Sequence, residues 1–161
     1  MGLWQTPLAA ARATAWAAVD RWVQRSFPGV PSLSTAALAD WLRAGPGPIP
    51  ILLDGRRDEE FAVSHLPGAQ FAPNLEAALA LGLDPDQPIV AYCSIGYRSA
   101  RLVAQLRQAG YTEAYNLEGS IFQWVNQGRA LVGQDGTTDV VHAFNPLWGL
   151  LLKPGHGVLP P

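Results

Sequence analysis

Residues Ile89–Ala100 read "IVAYCSIGYRSA", and the fold turns on them. Ile89–Tyr92 is a short unbroken apolar run, the pattern of a strand buried on both faces. A polar loop interrupted by Gly96 follows. From about Arg98 or Ser99 the apolar residues Leu102, Val103 and Leu106 recur at helical spacing until Gly110 ends the pattern. Cys93, the only cysteine of the chain, therefore stands at the C-terminal edge of a central strand. Open parallel sheets hold their ligands there, because the loop enters a crevice and the next helix presents unpaired N–H groups.

Outward from this unit, strands and helices alternate. "ILLD" (Ile51–Asp54) reads as a buried strand, and Asp58, Glu59 and Glu60 place negative charge at the start of a short helix, where the helix dipole favours it. "AQFA" (Ala69–Ala72) is a weaker strand, and Asn74 caps a helix that Gly82 ends. "EAYNL" (Glu113–Leu117) is a strand, and Ser120–Gln127 a helix closed by Gly128. Upstream, a helix over Leu8–Phe27 gathers Leu8, Ala11, Ala15, Trp16, Val19, Trp22, Val23 and Phe27 on one side before Pro28 and Gly29 stop it. Ser34 caps a second helix through Trp41 and Leu42, ended by "GPGP" at Gly45–Pro48. The pattern predicts an α/β fold with a mostly parallel sheet of about five strands and helices on both faces. Residues 1–32 form an amphipathic helical extension, 33–130 the α/β domain, and 131–161 an irregular C-terminal tail in which "PGHG" is a flexible turn.

With 161 residues, 48% of them hydrophobic and 15% charged, the chain can bury a sizeable single core. A net charge of −2 without a Lys/Arg cluster gives no attraction to phosphate backbones, which excludes direct nucleic-acid binding. One cysteine allows no internal disulfide, CxxC pair or cysteine-rich zinc site, and the cytoplasm is the natural setting. Asp139 and His142 share an i, i+3 spacing and His156 follows, but no further ligand completes a metal site. The N-terminus lacks a charged segment before its apolar part, which Arg12 interrupts, and this argues against a signal peptide. No apolar run approaches the ~20 residues of a membrane span. The Trp16/Trp22 face is expected to cover apolar surface on its own domain or, in a homodimer, on a second subunit.

The loop Cys93-Ser94-Ile95-Gly96-Tyr97-Arg98 can curl so that successive amides point inward, with Gly96 permitting the bend. Amide dipoles, the helix N-terminus and the Arg98 cation all favour thiolate, so Cys93 is expected to titrate below the free value of about 8.5 and to act as a nucleophile.

The loop "CSIGYRS", the upstream "LLDGRRDEEFAVSHLPGA" and the downstream "YNLEGSIFQW" resemble the three signatures of the rhodanese-like sulfurtransferase domain, in matching order, over Ile51–Gly128. The resemblance implies that Cys93 accepts sulfur and that Ser94, Ile95, Gly96, Tyr97 and Arg98, with Ser99, form the cradle around its persulfide. Asp54 and Arg56 match the D-x-R of the upstream motif and imply support of the sheet edge and active loop. His65 matches the histidine before the "PGA" turn and is at most a supporting residue. The implied activity moves sulfane sulfur from thiosulfate or a persulfide, including a protein persulfide, to a thiol or cyanide-like acceptor, with no cofactor. A non-turnover binding or sulfur-carrier module is the alternative reading. Rhodanese-like phosphatases and arsenate reductases use a ring one residue longer, and the four residues between Cys93 and Arg98 here disfavour that chemistry. Members that use thiosulfate well often carry extra positive charge early in the loop, where this chain has Ser94 and Ile95. Tyr97 also places a bulky ring at the pocket mouth.

Overall fold

A computed structural model describes residues 6–44 and 47–160, and in it Ile89–Tyr92 is a strand with every side chain withdrawn from solvent. The expected helix stop at Gly45 and Pro46 lies outside the described residues, as do Met1–Gln5. In chain order the elements begin with α1 (Pro7–Ser26), β1 (Ser32–Leu33), α2 (Thr35–Arg43), β2 (Ile51–Asp54), α3 (Asp58–Val63) and β3 (Gln70–Phe71). They continue with α4 (Leu75–Ala80), β4 (Ile89–Tyr92), α5 (Tyr97–Gln108), β5 (Ala114–Leu117) and α6 (Ser120–Asn126). The last are β6 (Leu131–Gly133), β7 (Gly136–Thr138), β8 (Val141–His142), α7 (Pro146–Gly149) and β9 (Gly157–Val158).

The main sheet has five strands in the order β1-β5-β4-β2-β3, every pair parallel. β2 steps outward to β3, and the chain then returns past β2 to β4 and β5. The loop after β4 thus opens into the crevice created by that reversal. Alternate side chains point to opposite faces, so Leu52, Val90 and Tyr92 meet α1, α2 and α6 while Leu53, Ile89 and Ala91 meet α4 and α5. The fifth strand, β1, is only Ser32–Leu33, too short for any periodicity to reveal.

Two expectations change. The stripe on α1 is buried only in its C-terminal half, at Trp16, Val19 and Val23, while Leu8 is 75% exposed. The C-terminal segment has no long element, as expected, yet it folds onto the domain. β6 and β7 form a hairpin, β8 and β9 a parallel pair, and Val141, Ala143, Leu151 and Leu152 enter the core. Its apolar residues are separated by Gly/Pro turns, so neither a period of two nor one of 3.6 develops. Side chains fasten it instead. Asn126 Nδ2 donates to Leu151 O at 2.8 Å, Lys153 N donates to Asn126 Oδ1 at 2.7 Å, and Ser64 Oγ donates to Val140 O at 2.6 Å. The "PGHG" stretch is a turn held by Val141 N on His156 O at 2.7 Å.

Trp16 Nε1 donates to Leu151 O at 3.2 Å, so α1 and the C-terminal segment lock each other down, and Trp16, Val19 and Val23 of α1 are covered within the chain. Among the described residues no helix is long and apolar enough to cross a membrane. Trp16→Ala removes a large buried ring and is expected to cost about 3 kcal/mol or more. Leu8→Ala, on the exposed turn of the same helix, should change stability by less than about 0.5 kcal/mol. Urea unfolding midpoints of the two variants check the contrast.

Candidate active site

The backbone after β4 is held from outside the loop. Ser120 Oγ accepts from Cys93 N at 3.1 Å, and the first turn of α6 donates Ile121 N to Cys93 O and Phe122 N to Ser94 O, each at 3.2 Å. Loop carbonyls are thereby turned toward α6, which answers two of its unpaired N–H groups. Loop amides turn the other way. Gly96 N donates to Cys93 Sγ at 3.2 Å. Gly96 sits at φ 109, in the left-handed region where a side chain is strained, and it caps α5, which begins at Tyr97 rather than at Arg98 or Ser99.

Ser99, on the first turn of α5, brings its Oγ to 3.4 Å from Cys93 Sγ and donates to Asn116 Oδ1 at 2.6 Å. One hydroxyl proton serves two acceptors, so it can swing to sulfur when the sulfur is charged. Asn116 Nδ2 donates to Gly96 O at 3.1 Å and fixes the loop a second time.

Arg98 does not project a free charge. Its Nη1 and Nη2 donate to Glu60 Oε2 and Oε1 at 2.7 and 2.8 Å, and Nη2 also reaches Ser94 Oγ at 2.9 Å. Ser94 Oγ in turn donates to Glu60 Oε1 at 3.0 Å. Burial pushes Glu60 up, but the hydrogen bonds and charge of Arg98, the Arg57 N–H and the charge of Arg56 hold it down to about 2. For Cys93 burial again pushes the thiol up. The Arg98 charge, the Ser99 hydroxyl and the N–H groups of Ser99 and Gly96 outweigh it, and the thiol falls below its ordinary range.

Of the residues expected from sequence, Cys93 and Ser94–Ser99 come together at one crevice. Asp54 and Arg56 form a buried bidentate pair beneath it, with Arg56 Nη2 at 2.7 Å from Asp54 Oδ2 and donating to Ser64 O at 2.6 Å. The pair ties the end of β2 to the segment leading into β3. His65 is elsewhere. Its ring stacks on Phe61 at 4.0 Å and its backbone pairs with Val132. Asp139 and His156 meet, with His156 Nδ1 at 2.8 Å from Asp139 O, and among the described residues no group of three potential ligands could hold a metal.

From sequence Glu60 marks only a helix start, and nothing local announces its bond to Arg98. Only its place as the third residue of α3, facing inward while Asp58 and Glu59 stay exposed, distinguishes it. Asn116 and Ser120, a strand and a helix residue by sequence, hold the loop through their side chains. Phe144 and Trp148, which line the cavity above Cys93, lie in the segment expected to be irregular.

A family model described as "Rhodanese-like domain" matches residues 34–127. A probable adenylyltransferase/sulfurtransferase of Mycobacterium tuberculosis, MoeZ, is 35% identical over 100 residues, 60% of this chain but 25% of that protein. The chain thus corresponds to about a quarter of that relative. A sulfurtransferase of Allochromatium vinosum is 33% identical over 87 residues, covering 53% of this chain and 81% of its own length. Among solved structures, a human single-domain sulfurtransferase superposes with a TM-score of 0.53 at 29% identity, covering 60% of this chain and 96% of its own.

Glu60→Gln should destabilise the fold by about 3 kcal/mol at neutral pH, since it leaves Arg98 partly buried without a counter-charge. The folded carboxyl titrates near 2 against an ordinary 4.5, so its contribution is complete above about pH 4.5 and is lost as pH falls toward 2. Unfolding curves of wild type and Glu60→Gln should therefore converge across that window and stay separated above it.

Proposed function

The chain belongs to the rhodanese-like family, and we propose that it is a sulfurtransferase working by double displacement through a Cys93 persulfide. The observation that carries this reading is the environment of one sulfur atom. Cys93 Sγ sits at the end of a buried strand, receives the Gly96 N–H at 3.2 Å, lies 3.4 Å from Ser99 Oγ, and is pushed toward thiolate. The sulfurtransferase relative from Allochromatium vinosum supports it.

In the first half-reaction the thiolate attacks the outer sulfur of a donor. The new Sγ–S bond forms as the bond from that sulfur to the rest of the donor breaks, and its electron pair departs with the leaving group. In the second, a nucleophilic acceptor attacks the outer sulfur of the persulfide and the Cys93 thiolate is regenerated. Sulfur is transferred at each step without a separate oxidant. The Gly96 N–H already points at the sulfur, and the Arg98 guanidinium, held by Glu60 and Ser94, adds its field beside it, so stabilising negative charge there needs no reorganisation.

Incubation with a sulfane-sulfur donor should add one sulfur atom to the intact mass, and an acceptor should remove it. Cys93→Ser should abolish both the added mass and all sulfur turnover, because no other thiol exists. Full turnover in a folded Cys93→Ser protein would overturn the assignment. An added sulfur that no acceptor removes would mark a carrier instead. Aryl phosphate hydrolysis should not occur, and Cys93-dependent, vanadate-sensitive hydrolysis would reverse the ranking of the two chemistries.

A further inference from the structure

The cavity above Cys93 has a volume of about 140 Å³, and its walls are Trp22, Ile95, Tyr97, Phe144 and Trp148. Three of these, Trp22, Phe144 and Trp148, lie outside residues 34–127 and come from α1 and the C-terminal segment. The ring of Trp22 stacks on Tyr97 with centroids 4.4 Å apart and planes 15° apart, and it lies 6.3 Å from Trp148 at 8°. Rings from three separate parts of the chain thus stand nearly parallel beside the nucleophile. Phe144 sits at φ 67, a conformation that bulky side chains rarely adopt, with its ring 5.0 Å from the Arg98 guanidinium.

The charge in this cavity is already answered. Arg98 is the one charged residue lining it among the described residues, and both of its Nη atoms are engaged by Glu60 and Ser94. A dianion such as thiosulfate would meet a cation bound to a carboxylate and otherwise apolar walls, which desolvate its second charge without compensation. An uncharged ring fits. A dry apolar cavity of roughly 150 Å³ is the size that accepts benzene.

We propose that this cavity binds the organic group of the sulfur carrier, and that the substrate class is an organosulfur compound bearing an aryl or similar-sized apolar group rather than inorganic thiosulfate. The proposal rests on the sulfurtransferase reading above and names its substrate class. For an arenethiosulfonate, Cys93 thiolate attacks the sulfane sulfur. The Sγ–S bond forms, the bond between sulfane and sulfonyl sulfur breaks, and its electron pair leaves as arenesulfinate. Two anions enter and two leave. Cyanide then takes the outer sulfur as thiocyanate and restores the thiolate.

The test compares benzenethiosulfonate with methanethiosulfonate, donors of equal charge and identical reacting group, using cyanide as acceptor and the full chain. kcat/KM should favour the aryl donor by about tenfold or more, and Trp22→Ala and Trp148→Ala should each cut that ratio to about threefold or less. Trp148→Phe, which keeps a ring, should restore most of the preference. A wild-type ratio near one, or a ratio that survives both alanine substitutions, overturns the proposal whatever happens to either rate alone.

Calorimetric titration of the Cys93→Ser protein with benzenesulfinate and methanesulfinate reads the same subsite without turnover. The aryl anion is expected to bind about tenfold or more tightly. Tight aryl binding with no sulfur transfer from either donor would support the subsite and overturn the sulfurtransferase reading. Equal transfer from both donors with equal binding would do the reverse.

Discussion

The ion pair between Arg98 and Glu60 is the constraint on which the site depends. It joins the first turn of α5 to the first turn of α3 across the crevice, and Ser94 Oγ bridges its two members. Without it, the Ser94 hydroxyl would be left as the side-chain tie between α3 and the loop after β4. With it, the guanidinium is fixed at one height beside Cys93. The pair also regulates how much charge the site offers. A bare arginine would attract any small anion into the crevice, whereas one already bound by a carboxylate stabilises a nearby thiolate through its residual field and repels little that is neutral.

A second constraint lies in how backbone groups are divided. The loop after β4 carries unpaired N–H and C=O groups together, and burial forbids leaving either orphaned. α6 resolves this by donating its own first-turn amides to Cys93 O and Ser94 O, while Ser120 Oγ accepts the Cys93 N–H. The remaining amide of Gly96 is left for sulfur. The geometry at Cys93 Sγ is therefore set by residues more than twenty positions downstream, and not by the loop alone.

This division explains what was legible in the sequence. The β4 strand, the glycine of the loop and the helix after it announced themselves because each is a local pattern of burial or backbone freedom. The same holds for Asp54 and Arg56, whose two-residue spacing places them at one strand end, where their side chains meet. Glu60 was hidden because its partner is thirty-eight residues away, and an acid in a helix's first turn has a sufficient local reason to be there. Phe144 and Trp148 were hidden because the segment carrying them is organised by side-chain anchors such as Asn126, which leave no periodic trace.

The segments outside the α/β core wall the cavity above Cys93. α1 reaches the cavity through Trp22 on its half-exposed side, and the same helix is clamped through Trp16 to Leu151, three residues beyond Trp148. The two tryptophans of α1 thus have separate tasks: Trp16 fixes the C-terminal segment, and Trp22 stacks between that segment and Tyr97 of the loop. Because Trp16 joins the two segments that wall the cavity, a loss of packing far from sulfur would widen the opening above it. Asp20, one turn before Gln24 on the same helix, is raised to about 6 by burial and by the charge of Glu118. Gln24 Nε2 donates to Glu118 Oε2 at 3.4 Å, so the helix meets the β5–α6 turn through this hydrogen bond and the loop through aromatic stacking. Stacking and apolar burial carry most of the attachment of α1, and the buried half of the helix is the half that lies over Cys93.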